Sequence, residues 1–345
     1  MEKVNILMLG GKRCGKTTVL SSMYQEFDNA VSCTDLTIQC TDSKTKADLT
    51  KAAKIIKDKM GQFRNGLVRV EVDENSTDAK KEFRFQLSVK NYNIPFVIHD
   101  IPGEWLTNEN QERVKQLIGM CEVIIIAIDT PYLFSKMTTE GYGIYHEEYN
   151  KPKEITNFFK ETLNVEQIKD KMILFVPIKC ERYYHLSKPG HQLNRTGRKY
   201  MEELVLAIEC GYSDLLNYLR STPELINKCT IAITPILSAG GIDFVHFRKD
   251  STGKMVSLYQ QPEFLPENER GYKPQFCEQP LLFALIYILH QEIDRIESGR
   301  RNALFSNRRL EQMKSAYQTL SAKLRRDKMN ELGSGHVMIA NPKNI

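Results

Sequence analysis

The chain has 345 residues, of which 41% are apolar and 26% charged, the balance of a globular protein with a sizeable core. Its net charge is +5, yet nine Lys/Arg against three acids put +6 into residues 298–332 alone. Lys343 apart, the rest sums to about −2, so the body carries no basic excess of the kind nucleic acid selects.

The longest apolar runs, Val123–Ile128 and Leu281–Leu289, fall well short of the ~20 residues that span a bilayer. Ile6–Leu9 is too short for a signal peptide. The eight cysteines show no CxxC pair or metal spacing, and Cys121, Cys210 and Cys229 sit in apolar stretches. They read as reduced thiols used as small apolar residues, which implies a cytoplasmic protein without a transmembrane segment.

In chain order, Val4–Leu9 reads as a buried strand closed by Gly10, and Lys16 to about Phe27 as a helix. Further strands are expected at Leu36–Cys40, Leu67–Val72, Phe83–Val89, Pro95–His99, Val123–Ile128, Met172–Pro177 and Cys229–Pro235. Helices are expected near 42–60, 108–120, 151–163, 197–220 and 279–297. The alternation predicts an α/β fold around a mostly parallel sheet; with Gly10-Gly11-Lys12-Arg13-Cys14-Gly15-Lys16-Thr17 after its first strand, it reads as a three-layer P-loop NTPase sandwich. The Lys90–Ile94 link is hairpin length, which makes one strand antiparallel. Residues 1–297 form the expected domain, with insertions near 131–150 and 242–278, the second holding a hairpin. Residues 298–345 form a basic helical tail with a mobile end at Gly333–Ile345. In that tail Leu310, Met313, Tyr317, Leu320 and Leu324 make one apolar stripe. It suits packing on its own domain, a protein partner, or an anionic surface.

Gly10-Gly11-Lys12-Arg13-Cys14-Gly15-Lys16-Thr17 fits G-x-x-x-x-G-K-[ST]. Glycines let backbone N–H groups converge on phosphate oxygens, and the helix start through Thr18 adds donors and partial positive charge. Lys16 should reach the β- and γ-phosphates, and Thr17 should hold Mg²⁺. Lys12 and Arg13 add charge to the loop; Arg13 reads as a γ-phosphate contact or as a solvated side chain.

Pro95–Asp100 is an apolar strand that ends in Asp100-Ile101-Pro102-Gly103-Glu104-Trp105, a D-x-x-G pattern. Asp100 is positioned to anchor Mg²⁺, and Gly103 to bring a backbone N–H to the γ-phosphate. The pair GGKRCGKT and DIPGEW resembles the double-GTPase and YcjX-like groups of bacterial P-loop GTPases, within the translation-factor-related class. The resemblance covers roughly 1–297. It implies GTP/GDP and Mg²⁺ as ligands, with Lys16, Thr17, Asp100 and Gly103 in the matching roles. Glu104 occupies the place of the water-orienting glutamine of Ras-like enzymes, which fits slow hydrolysis or a carboxylate base. Trp105 reads as an apolar anchor for the switch.

Guanine recognition is expected from Ile178-Lys179-Cys180-Glu181, with Lys179 over the base plane and Glu181 accepting from the guanine N–H groups. Ile178 departs from the [NT]-K-x-D pattern. Ser238-Ala239 should offer a backbone N–H to the guanine oxygen. Thr77 is the candidate first-switch ligand to Mg²⁺, with Ser76 and Thr41 as rivals. These readings predict a GTP-binding switch whose hydrolysis is stimulated by a protein partner bound through switch loops and basic tail. An ATP-using P-loop enzyme and a non-hydrolysing nucleotide-binding module are the alternatives.

Overall fold

The computed structural model describes residues 3–12, 14–61, 68–70, 80–90, 92–134, 145–162, 170–181, 197–223, 225, 228–249, 251, 255–261, 271–299, 307–326 and 335–342. The strands are β1 (Val4–Leu9), β2 (Leu36–Cys40), β3 (Val68–Val70), β4 (Lys81–Val89), β5 (Tyr92–Asp100), β6 (Val123–Asp129), β7 (Met172–Ile178), β8 (Thr230–Ile233), β9 (Gly240–Gly241), β10 (Asp243–Lys249), β11 (Met255–Gln260), β12 (Gly271–Tyr272) and β13 (Val337–Ala340). The helices are α1 (Lys16–Gln25), α2 (Phe27–Val31), α3 (Ser43–Gly61), α4 (Gln111–Met120), α5 (Thr130–Phe134), α6 (Pro152–Thr162), α7 (Gly197–Gly211), α8 (Ser213–Ser221), α9 (Glu278–Gly299) and α10 (Asn307–Arg326).

Eight strands form one sheet in the order β13-β8-β7-β6-β1-β5-β4-β2. The five strands β8, β7, β6, β1 and β5 are mutually parallel. The β4–β5 hairpin is antiparallel, as its short link requires. A second strand, β13, also runs against its neighbour β8, beyond the single reversal expected. Every residue of β6 and β7 is buried, as strands covered on both faces must be.

Alternate side chains of β1 face opposite layers. Ile6 and Met8 join a core with α1, α9 and α10, whereas Leu7 and Leu9 join one with α4, α6, α7 and α8. Leu281–Leu289 of α9 is buried on all sides between the sheet and α10. Each such leucine, isoleucine or phenylalanine contributes about 1.5–3 kcal/mol by leaving water.

Two expectations change in detail, for the helix near 197–220 and for the chain end. The helix near 197–220 is broken at Tyr212, whose φ of −116° departs from helical geometry, so α7 and α8 are separate. The apolar stripe of the tail is buried: Leu310, Met313, Leu320 and Leu324 complete the α9 layer, with Tyr317 partly buried beside them. The segment expected as a mobile end contains β13, which pairs Val337 with Ile233. The expected strand over Leu67–Val72 is seen as β3 (Val68–Val70), the only part of that run among the described residues. The hairpin expected within 242–278 is present as β10–β11, and β3 extends it to a separate three-stranded sheet.

Candidate nucleotide site

In an open parallel sheet, ligands bind beyond the carboxyl ends of the strands where the chain reverses its direction of travel. Here that point is β1. The chain moves from β1 to β5 on one side, then returns to β6 on the other. The phosphate-loop sequence leaves β1, the D-x-x-G sequence leaves β5, and Asp129 ends β6, all at this edge.

The loop approaches its neighbours at backbone distance. A Cβ added to Gly11 would lie 1.7 Å from the Tyr149 carbonyl oxygen, so any side chain there would displace the π-helical turn His146–Asn150. A Cβ added to Gly103 would lie 2.2 Å from Lys12 N and 2.4 Å from Gly11 C. The β5 switch loop therefore rests directly on the phosphate loop. Helix α1 begins at Lys16 without a side-chain cap, so the partial positive charge of its N-terminus lies at the loop.

Lys16 is 6% exposed and donates to the carbonyls of Gly10 (3.0 Å) and Gly11 (3.2 Å). Its ammonium thus folds over the loop it is expected to serve. Thr17 Oγ1 donates to Asp100 Oδ2 at 2.9 Å, and Asp100 is fully buried. The two Mg²⁺ candidates therefore stand side by side. Two hard oxygen donors beside a phosphate cradle fit Mg²⁺, which completes its shell with phosphate and water. The Cys14 thiol is 1% exposed, and burial raises its titration above the ordinary value. Thr18 lies in the first turn of α1, half-buried, and its carbonyl accepts from Ser21 Oγ at 2.9 Å.

Glu104 forms an ion pair with Lys12. Partial burial pulls its carboxyl upward, but the Lys12 hydrogen bond, a backbone N–H and the charges of Lys12 and Lys16 together lower it below the usual carboxylate range. Trp105 packs against the core beside α4, and Arg113 lies 5.8 Å from its ring centroid. The sequence-based role of Trp105 as an anchor agrees with this packing.

Lys179 and Ala239 engage neighbours within the chain. The Lys179 ammonium pairs with Asp129, whose side chain is 1% exposed. Burial would depress the ammonium, yet the adjacent carboxylate more than compensates and keeps it charged. The left-handed backbone of Lys179 (φ 58°) turns the chain at the end of β7. Glu181 and the Ser238-Ala239 turn do come together. Glu181 Oε1 accepts from Ala239 N at 2.6 Å, Gly240 N at 3.3 Å and Ser238 Oγ at 3.4 Å. The N–H assigned to the guanine oxygen is thus donated to Glu181. Glu, one methylene longer than Asp, reaches that amide. Arg13, Ser76 and Thr77 lie outside the described residues. Thr41 extends the β2–β4 ladder through its N–H to the Arg84 carbonyl, at 3.0 Å and two strands from Asp100.

Sequence reasoning gave no role to Asp129, Asn150 or His146. Asn150 accepts from Asp129 N at 2.8 Å and donates to Asp129 O at 3.1 Å. It also donates to His146 Nδ1 at 3.0 Å, and His146 Nε2 lies 3.2 Å from Gly211 O. An acid closing an all-apolar strand at the ligand edge was the available signal.

The fold, with Lys16, Thr17 and Asp100 brought together at the strand ends, is that of a P-loop protein. Residues 5–170 match the Double-GTPase 2 family model, and this similarity supports a GTP-binding P-loop protein of the double-GTPase type. The match spans both phosphate motifs and ends before Lys179, Glu181, Ser238 and Ala239. No curated protein matches the chain. Among the described residues no helix is long and apolar enough to cross a membrane.

Proposed function

We propose that the chain is a GTP-dependent switch that hydrolyses GTP with Mg²⁺ and is accelerated by a protein partner. The observation that supports this most is the Thr17–Asp100 hydrogen bond beside Lys16, which joins the phosphate loop to the D-x-x-G strand. Mg²⁺ held there would neutralise charge on the β- and γ-phosphates. Lys16 and the loop N–H groups would stabilise charge developing on the transferred phosphoryl group. Glu104 would orient or deprotonate the attacking water once it leaves Lys12. The unit 1–297 carries this chemistry, and 298–345 supports it through α10 and β13. The partner surface comprises the Gly103–Trp105 loop and the exposed Arg308 and Arg309 of α10.

A second reading, ATP use, is favoured by one observation: Ala239 N is donated to Glu181. The test is displacement of labelled GTP from the full chain by GDP and by ATP, with Lys16→Ala as control. Displacement by GDP alone, with at least ~100-fold weaker binding in Lys16→Ala, is expected from the loss of a charge-assisted phosphate contact. Equal displacement by ATP supports the second reading. Undiminished binding by Lys16→Ala overturns the cradle.

A further inference from the structure

We infer that Lys12 is the positioning residue of the switch: it neutralises Glu104 and exchanges that carboxylate for the third phosphate. The inference rests on the nucleotide reading above and adds the element that distinguishes triphosphate from diphosphate.

Three observations converge on it. The Lys12 ammonium is paired with Glu104 across the two loops. The Gly103 backbone touches Lys12 N, where an added Cβ would come within 2.2 Å. The sequence puts a lysine in the phosphate loop and a carboxylate after the switch glycine, each in a place where the partner's charge makes sense of it. A phosphate oxygen bonded by both loops needs about 2.9 Å to each N–H. Backbones in direct contact leave no such space, so a third phosphate gripped by both must part them.

Charge explains how the parting proceeds. An unpaired Glu104 would repel the terminal phosphate, whereas Lys12 removes that repulsion. The Lys12 and Glu104 side chains are 49% and 38% exposed, so water screens their attraction. A phosphate, with more charge and further N–H partners in the same loop, competes well for the ammonium. A diphosphate offers no group at that position and leaves the ion pair closed. Released Glu104 is then free to face the attacking water.

The experiment uses the full chain stripped of nucleotide. Dissociation constants for GDP and for a non-hydrolysable GTP analogue are measured in wild type, Lys12→Ala, Glu104→Gln, the double variant, and the charge swap Lys12→Glu/Glu104→Lys. Melting temperature is recorded for each. Lys12→Ala should lower the analogue-to-GDP affinity ratio by ~10-fold, the scale of one charge-assisted contact. In the Glu104→Gln background the same change should lower it clearly less. The swap should restore melting temperature but not the ratio, because it puts an acid beside the phosphate. Equal losses in both backgrounds, or a ratio restored by the swap, would overturn the inference. Wild type that binds neither nucleotide would instead overturn the nucleotide reading itself.

Discussion

Replacing Asp129 by Ala should destabilise the protein by about 3–5 kcal/mol, the loss expected when one partner of a buried ion pair is removed. The structure places the site at the costly end of this range. The Asp129 side chain is 1% exposed and that of Lys179 14%, so without the carboxylate burial would leave Lys179 either a poorly compensated charge or a deprotonated amine beside Tyr132 and Tyr259. Asp129 Oδ1 also accepts from Tyr132 N at 3.3 Å, a bond that would be lost as well. A domain holds only about 5–15 kcal/mol in total, so the change removes a large share. Urea unfolding at pH 7 measures it, with Asp129→Ala, Lys179→Met and the double variant compared. The double variant should be more stable than Asp129→Ala, because methionine fills the lysine's space without an orphan charge. Costs that simply add, or an Asp129→Ala cost under about 1 kcal/mol, would refute the reasoning.

Two further outcomes follow from the same geometry. Glu181→Asp should withdraw the carboxylate from Ala239 N, and the freed N–H should raise GTP-over-ATP discrimination about fivefold to tenfold in competition binding. Unchanged discrimination would show that this amide does not read the base. Burial, with Lys80 adding to it, holds His99 down to about 4, whereas in the unfolded chain it titrates near 6.5. The unfolded state therefore binds the extra proton between these values, and stability should fall by up to about 3 kcal/mol as pH drops from 6.5 to 4. His99→Gln should flatten that slope in pH-dependent melting, and an unaltered slope would assign it elsewhere. Glu82, held down from 4.5 to about 2 by Lys80 and Arg84, lies 3.6 Å from His99 and acts mainly below pH 4.5, so the slopes are compared above pH 5.

The legible parts of the molecule were those written in local runs. Val4–Leu9, Val123–Ile128 and Met172–Pro177 are apolar and short, and each is a strand because parallel strands are buried on both faces. The phosphate loop and D-x-x-G turn were legible because glycine spacing and strand context are also local. The parts that escaped depend on partners far along the chain. Lys179 finds Asp129 fifty positions away, and nothing near residue 179 announces a buried acid. Glu181 meets Ala239 because one methylene extends its reach, a matter of three-dimensional span. Val337–Ala340 is too brief for a periodic signal, and only the open edge of β8 gives it a ladder.

The insertion after β6 acquires its meaning from the same long-range pairing. Asn150 closes two hydrogen bonds on the backbone of Asp129, one accepted and one donated, and thereby fixes the end of β6 to the turn His146–Asn150. His146 is buried and its titration is pushed down by that burial, so it is held neutral. It then accepts from Asn150 at Nδ1 and donates from Nε2 to Gly211, which ties the turn to α7. The preceding residue, Tyr149, presses its carbonyl against Gly11 and stacks its ring on Tyr132, with centroids 4.4 Å apart. One acid therefore serves two elements. Its side chain holds the lysine at the end of β7, and its backbone holds the turn that supports the phosphate loop from behind. A loop whose N–H groups must converge on phosphate gains little from glycine freedom unless something rigid fixes its shape. The buried Asp129–Asn150–His146 chain supplies that rigidity, two of its three residues coming from a segment that in sequence looked inserted.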